Sequence, residues 1–219
     1  MPRFLIVAAT PFEIEGIARF FNVSDSLAEG LMANQTKTVF ILVTGVGMVN
    51  TAYGLGRCSD HGFDYVINAG ICGAFNRSLS LGEVVHVTSD LLSEMGAEND
   101  TAFMQYHELN LGGTNVYNYS PGKELAAMAG LKQVKGITVN KVHGSEASIK
   151  QADALFKPDV ESMEGAAFFR ACAHFTGGCL QLRAVSNYVE KRDKSKWNIP
   201  LAITNLNDLI IQLIQQANP

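Results

Sequence analysis

Six short apolar runs, separated by segments of helical length, constrain the fold of this chain more than any other feature. They are Phe4–Ala9, Val39–Thr44, Tyr65–Ala69, Glu83–Thr88, Gly136–Val142 and Cys179–Val185. As a set they are rich in Val, Ile and Leu and lack strict alternation of apolar with polar positions. A strand covered on one face alternates, whereas a strand covered on both does not, so these runs predict strands in the interior of a sheet. Helices are predicted over Glu13–Phe21, Met48–Gly56, Gly122–Gly130, Glu164–Phe175 and Leu201–Gln216. The last carries a one-sided stripe of Leu206, Leu209, Ile210 and Leu213. The order predicts an α/β fold, a three-layer sandwich with a central mixed, mostly parallel sheet flanked by helices. One domain over residues 1–219 accommodates it, because a chain of this length buries roughly 70% of its unfolded surface without needing a disulfide or a metal.

Charge and cysteine usage exclude several classes. The net charge of −4 argues against nucleic acid as a partner, since such proteins present a basic face. The cluster Glu190–Lys196 is mixed in sign and reads as a solvated loop. Cys58, Cys72, Cys172 and Cys179 show no metal-ligand spacing, which predicts reduced cysteines in a cytoplasmic protein with no metal and no cofactor. The first apolar run is too short for a secretion signal, and no stretch has the length of a membrane span.

Parallel sheets bind ligands at the carboxyl ends of their strands, so the residues after each run carry the functional argument. The first run leads into Thr10-Pro11-Phe12-Glu13. Glu13 either complements a helix dipole or projects over a cleft, and the local sequence leaves both open. The second leads into Thr44-Gly45-Val46-Gly47-Met48-Val49-Asn50, where glycines let a backbone approach a ligand. Asn50 replaces the third glycine of a dinucleotide fingerprint, and Asp64 falls at the wrong end of the sheet for a ribose, so a dinucleotide site is not expected. After the third run, Asn68-Ala69-Gly70-Ile71-Cys72-Gly73 is read either as a tight turn or as a ligand edge. Glu164, among small and apolar neighbours after Met163, needs hydrogen-bond donors that two adjacent sugar hydroxyls would supply. Arg183 lies inside an apolar strand and requires a carboxylate or anion partner. Asn187 follows at the same edge, with Ser186 placed to orient it.

Together these segments resemble the nucleoside phosphorylase and nucleosidase superfamily over nearly the whole chain. The carriers are T-G-V-G-x-V-N at 44–50, N-x-G-x-x-G at 68–73, Met163-Glu164-Gly165-x-Ala167 and Arg183-Ala184-Val185-Ser186-Asn187. The resemblance implies that Met163 and Glu164 hold the ribose, with Glu164 accepting from its 2′ and 3′ hydroxyls, and that Asn187 contacts N7 of a purine. It also implies a homodimer or larger homo-oligomer, in which a neighbour often completes the site.

Two departures narrow the chemistry. Phosphorylases of the superfamily carry a phosphate-binding arginine where this chain has Glu13. A carboxylate repels phosphate but takes a proton from water, as in the methylthioadenosine nucleosidases, so the resemblance implies a hydrolase. Arg183 is expected to pair with Glu13 and help fix the attacking water. Adenine-releasing nucleosidases carry aspartate at the position of Asn187. A carboxamide NH₂ can donate to both N7 and O6, which suits a departing 6-oxopurine such as hypoxanthine.

The runs Glu161–Phe169 and Ser186–Trp197 resemble the futalosine hydrolase branch, which acts in menaquinone biosynthesis on a nucleoside bearing a 5′ benzoate tail. Arg192, Lys194 and Lys196 are read as tail ligands or as solvated charge. Gly70 and the Gly144-Ser145-Glu146 turn are expected to present backbone to the substrate. None of the five histidines shows a carboxylate or serine constellation, and Trp197 reads as core or interface rather than a base-stacking platform. The alternatives are a methylthioadenosine-type nucleosidase, a phosphorylase and a non-enzymatic nucleoside-binding protein. In each the partner is a small-molecule nucleoside, not nucleic acid or membrane.

Overall fold

The computed structural model describes residues 1–27, 30–119, 128 and 130–217. Strand β1 (Phe4–Ala8) lies between β4 (Val39–Val43) and β5 (Tyr65–Ala74), parallel to both. Every residue of β1 is fully buried. Phe4, Ile6 and Ala8 point to one apolar layer and Leu5 and Val7 to the other, as expected of a strand covered on both faces. The short strands β2 (Asp25–Ser26) and β3 (Leu31–Ala33) extend the sheet beyond β4.

On the other side β5 pairs in parallel with β12 (Gly178–Tyr188), which runs antiparallel to β6 (Val84–Leu92). Strand β6 is followed by β10 (Gln133–Thr138) and β11 (Val160–Ser162), while β9 (Val116–Asn118) pairs with β6. Strand β11 also bridges antiparallel to β5 through Glu161 and Gly73, so this half of the sheet curls back on itself. A separate hairpin, β7 (Gly96–Asn99) with β8 (Ala102–Gln105), stands off the sheet.

Helices cover both faces. Ile17 of α1 (Glu15–Phe20) and Ala202, Leu206, Ile210, Leu213 and Ile214 of α5 (Ile199–Ala217) join the layer of Phe4 and Ile6. Leu55 of α2 (Met48–Gly56) and Phe168, Phe169 and Ala171 of α4 (Gly165–Cys172) join that of Leu5 and Val7. Helix α3 (Glu146–Phe156) buries Ala152 against Ile137 and Val139. This is the expected three-layer α/β arrangement around a mixed sheet. No helix among the described residues is long and apolar enough to cross a membrane.

Several expected boundaries are corrected. The third run does not stop at Ala69 but continues to Ala74, so the N-x-G-x-x-G stretch is strand, not turn. The fifth run leaves the sheet after Thr138, because Asn140 N and Nδ2 turn to Glu94 and His143 N turns to Glu161. The first helix is split. Pro11–Ile14 forms a 3₁₀ turn in which the Glu13 side chain folds back onto Thr10. Helix α3 was not expected, since its polar sequence buries only Ala152. The helix expected over Gly122–Gly130 falls almost wholly outside the described residues.

Candidate active site

Five chain segments meet at the carboxyl ends of β1, β4, β5, β11 and β12. They enclose a cleft of about 310 Å³ lined by Glu13, Met163, Glu164, Ser186 and Asn187, with Phe12, Val46, Glu161 and Trp197 among its other walls. Glu13 is 8% exposed. Its Oε2 accepts from Thr10 N at 2.9 Å and Thr10 Oγ1 at 3.0 Å, and its Oε1 accepts from Ile71 N at 3.3 Å. Glu13 therefore caps the turn and also reaches the cleft, so the two readings of this residue are not exclusive.

Glu164 is the N-cap of α4. Its Oε1 accepts from Gly47 N at 3.1 Å and its Oε2 from Met163 N at 3.2 Å. Gly47 adopts φ +97°, a left-handed conformation that glycine takes at little cost and that aims its N–H at the carboxylate. The glycine turn after β4 thus holds the carboxylate, and its Val46 also lines the cleft.

Arg183 is 1% exposed and does not line the cleft. Its Nη2 donates to Asn68 Oδ1 at 2.5 Å, its Nε donates to Gln181 Oε1 at 3.2 Å, and its Nη1 lies 3.6 Å from Glu164 Oε2. The carboxylate partner is thus Glu164, where Glu13 was expected. A guanidinium in this position touches Glu164 from outside the cleft and can orient that carboxylate. Gly70 is corrected likewise. It pairs in register with Arg183, and a methyl group there would collide with Arg183 Nη1. Gly70 makes room for the arginine and is absent from the cleft wall. Gly144 lines a neighbouring cavity with His143 and Ser145 and is also absent from the cleft wall.

The β12 ladder shifts register between Val185 and Asn187, leaving Ser186 as the extra residue of a bulge that re-aims the strand end. Ser186 Oγ lies 2.8 Å from Asn187 Oδ1 and 3.1 Å from Cys72 O, both acceptors sharing one hydroxyl proton. Asn187 Nδ2 donates to Tyr188 O at 3.0 Å. One of the two amide hydrogens is therefore spent, leaving one N–H where two were expected.

Sequence reasoning missed three features. His143 has a carboxylate partner after all: its Nδ1 donates to Glu161 Oε2 at 2.6 Å and its N–H to Glu161 Oε1 at 3.1 Å. The two residues are 18 positions apart, so no local spacing reveals them. Asp90 is 1% exposed and accepts from Thr138 Oγ1 at 2.7 Å and Gln181 Nε2 at 3.2 Å. Thr138 Oγ1 in turn accepts from Ala166 N at the start of α4, so Asp90 braces both Glu164 and Arg183 from below. Burial pushes the Asp90 carboxyl up to about 6, against the pull of those hydrogen bonds and of Arg183. Trp197 lines the cleft and Arg192 lies over its ring at 5.0 Å, while Lys196 pairs with Glu190 at 3.0 Å.

Comparison with known proteins agrees with this architecture. The family model of the Phosphorylase superfamily matches residues 3–215. The futalosine hydrolase of Thermus thermophilus is 31% identical over 181 residues, 80% of each chain. Two solved structures share the fold. One is the futalosine hydrolase of Helicobacter pylori (TM-score 0.79, 16% identity, 98% of both chains). The other is the methylthioadenosine/S-adenosylhomocysteine nucleosidase of Colwellia psychrerythraea in complex with adenine (TM-score 0.79, 20% identity, 98% of this chain and 95% of the other). By the near-complete family match and by the Thermus relative, the chain belongs to the phosphorylase superfamily.

Proposed function

We propose that this chain hydrolyses the N-glycosidic bond of futalosine, releasing hypoxanthine and dehypoxanthine futalosine. One observation carries the reading. Glu13, near the amino terminus, and Asn187, more than 170 positions later, line a single cleft together with Met163 and Glu164. The activity is the one named for the Thermus thermophilus relative.

In this reading Glu164 and Met163 hold the ribose, and Glu13 takes a proton from water as its oxygen bonds to C1′. The C1′–N9 bond breaks with its electron pair moving into the purine. Asn187 places an amide N–H against that developing negative charge, where a fixed dipole stabilises it without reorganising. The purine anion then takes up a proton, so water is divided between sugar and base. A carboxylate at Glu13, where phosphorylases hold a cation, disfavours phosphate as the attacking group. Phe12, Val46 and Trp197 give the cleft apolar walls suited to an aromatic 5′ tail. Exposed Val49 and Tyr53 on α2 suit a contact between copies of the chain, and cysteines without metal-ligand spacing fit a reducing compartment.

The test is to incubate the protein with futalosine and with methylthioadenosine, with and without phosphate, and to identify the released base by chromatography. Hypoxanthine release independent of phosphate, lost by about 100-fold or more in E13Q, is expected. Faster release of adenine, or a rate set by phosphate, would sink the proposal.

A further inference from the structure

The base end of the cleft contains a carboxylate with no part in the chemistry above. Glu161 is 4% exposed, lines the cleft, and stands beside Asn187 for a topological reason. Both residues bridge to Gly73, Glu161 from antiparallel β11 and Asn187 from parallel β12. A methyl group on Gly73 would lie 3.3 Å from Asn187 Nδ2 and 3.4 Å from Glu161 Cγ. The glycine leaves open the space over which the carboxamide and the carboxylate sit side by side.

A purine presents N7, the C6 substituent and N1 in succession along one edge. In a 6-oxopurine these are two acceptors and then a donor, N1–H. In a 6-aminopurine they are an acceptor, a donor and an acceptor. Asn187 has one amide hydrogen left to offer, since the other goes to Tyr188 O. A single donor matches N7 or O6 but does not read N1. Glu161 supplies the missing complement, because a carboxylate only accepts. His143 fixes it through its main-chain N–H and its Nδ1, and both oxygens keep lone pairs free for a further donor.

We propose that Glu161, oriented by His143, is a specificity-determining residue that accepts the N1–H of a 6-oxopurine and opposes the N1 lone pair of a 6-aminopurine. This rests on the reading of the cleft as a purine nucleosidase site. Discrimination by a buried polar group is strong, because the wrong base leaves that group facing a like partner with no water to relieve it.

The test compares futalosine with its 6-amino counterpart, in wild type and in E161Q, by the ratio of kcat/KM values. A glutamine no longer offers a charged acceptor and can turn its NH₂ toward an N1 lone pair. The ratio is expected to fall at least tenfold in E161Q and by a smaller factor in H143A, which removes the imidazole contact and leaves the carboxylate. A purely structural role would lower both substrates together, so a ratio within twofold of wild type overturns the proposal. Should E161Q fail to fold, E161D draws the carboxylate back by one methylene and is held to the same ratio. Calorimetric binding of free hypoxanthine and adenine separates this proposal from the reaction it rests on. Preference for hypoxanthine that is lost in E161Q, in a protein that does not cleave futalosine, supports Glu161 and sinks the proposed reaction. Futalosine cleavage with an unchanged ratio sinks Glu161 alone.

Discussion

The side-chain amide of Asn207 donates to the main-chain carbonyl of Glu13 at 2.8 Å, tying the carboxyl-terminal helix to the turn that carries the amino-terminal carboxylate. Its Oδ1 accepts from Ile17 N at 2.8 Å, an N–H in the first turn of α1 that has no partner within the helix. One buried amide thus satisfies both sides of the junction between the 3₁₀ turn and α1. In N207A these two main-chain groups lose their partner. Each buried unsatisfied group costs about 1–3 kcal/mol. For a domain of this size the pair corresponds to a fall in Tm of roughly 4–24 °C. Because Glu13 is aimed by that turn, kcat is expected to fall about tenfold with KM less affected. Calorimetry and steady-state kinetics on the variant check both, and an unaltered kcat at lower Tm would confine Asn207 to a structural part.

The guanidinium of Arg183 meets three partners that an ammonium cannot reach together, namely Asn68, Gln181 and Glu164. R183K keeps the charge and loses the fork, so Glu164 loses its side-chain anchor. The expected result is a loss of about 10–100-fold in kcat/KM, carried largely by KM for the nucleoside, because Glu164 is the proposed ribose ligand. G70A is expected to match it, since the added methyl claims the space of Arg183 Nη1. Kinetics on the two variants test the shared cause; normal KM in both would break the link from Gly70 through Arg183 to Glu164.

Two buried groups act oppositely on stability at mildly acidic pH. Burial raises Asp90 from 3.8 to about 6, so between those values the folded state binds the extra proton and stability falls as pH rises. Burial lowers His86 from 6.5 to about 4, so over that window the unfolded state binds the extra proton and stability rises with pH. Between about pH 4 and 6 the two nearly cancel. D90N should expose a positive slope of unfolding free energy against pH, and H86L a negative one. Each change approaches one proton, about 1.4 kcal/mol per pH unit at most. Denaturant titrations at pH 4.5, 5.25 and 6 measure the slopes, and identical slopes in wild type and D90N would show that Asp90 does not titrate there.

What the sequence disclosed follows from how locally each feature is encoded. Strands β1 and β4 were legible because both faces are covered, which leaves uninterrupted apolar runs. Glu13, Met163, Glu164, Ser186 and Asn187 were legible as cleft residues because each follows a strand or stands in its last residues, at the edge where such sheets bind ligands. Helix α3 was not, since a helix that buries only Ala152 has almost no apolar stripe. The Glu161–His143 pair was hidden because it depends on β11 bridging antiparallel to β5, a pairing that no run of residues declares. The partner of Arg183 was misread because register sets it: Arg183 sits opposite Gly70, and the opening there directs the guanidinium below the cleft toward Glu164.

The choice of base should be exchangeable at Asn187. Its amide is held by Ser186 Oγ at Oδ1 and by Tyr188 O at Nδ2, which leaves one N–H for a leaving purine. An aspartate in the same bulge can accept the Ser186 hydroxyl in the same way. Its second oxygen would then face Tyr188 O, a repulsion relieved if that oxygen carries a proton or turns into the cleft. Protonated, it donates to N7; ionised, it accepts from a 6-amino group and repels O6. N187D is therefore expected to lower kcat/KM for the 6-oxo nucleoside by 10-fold or more and to raise the relative rate on the 6-amino counterpart, with the ratio of the two as the measured quantity. The gain should be incomplete while Glu161 still opposes the N1 lone pair of adenine, so N187D/E161Q should shift the ratio further than either change alone. Strict additivity of the two effects would mean that the neighbours across Gly73 read the base independently, and a ratio unmoved in N187D would remove Asn187 from base selection altogether.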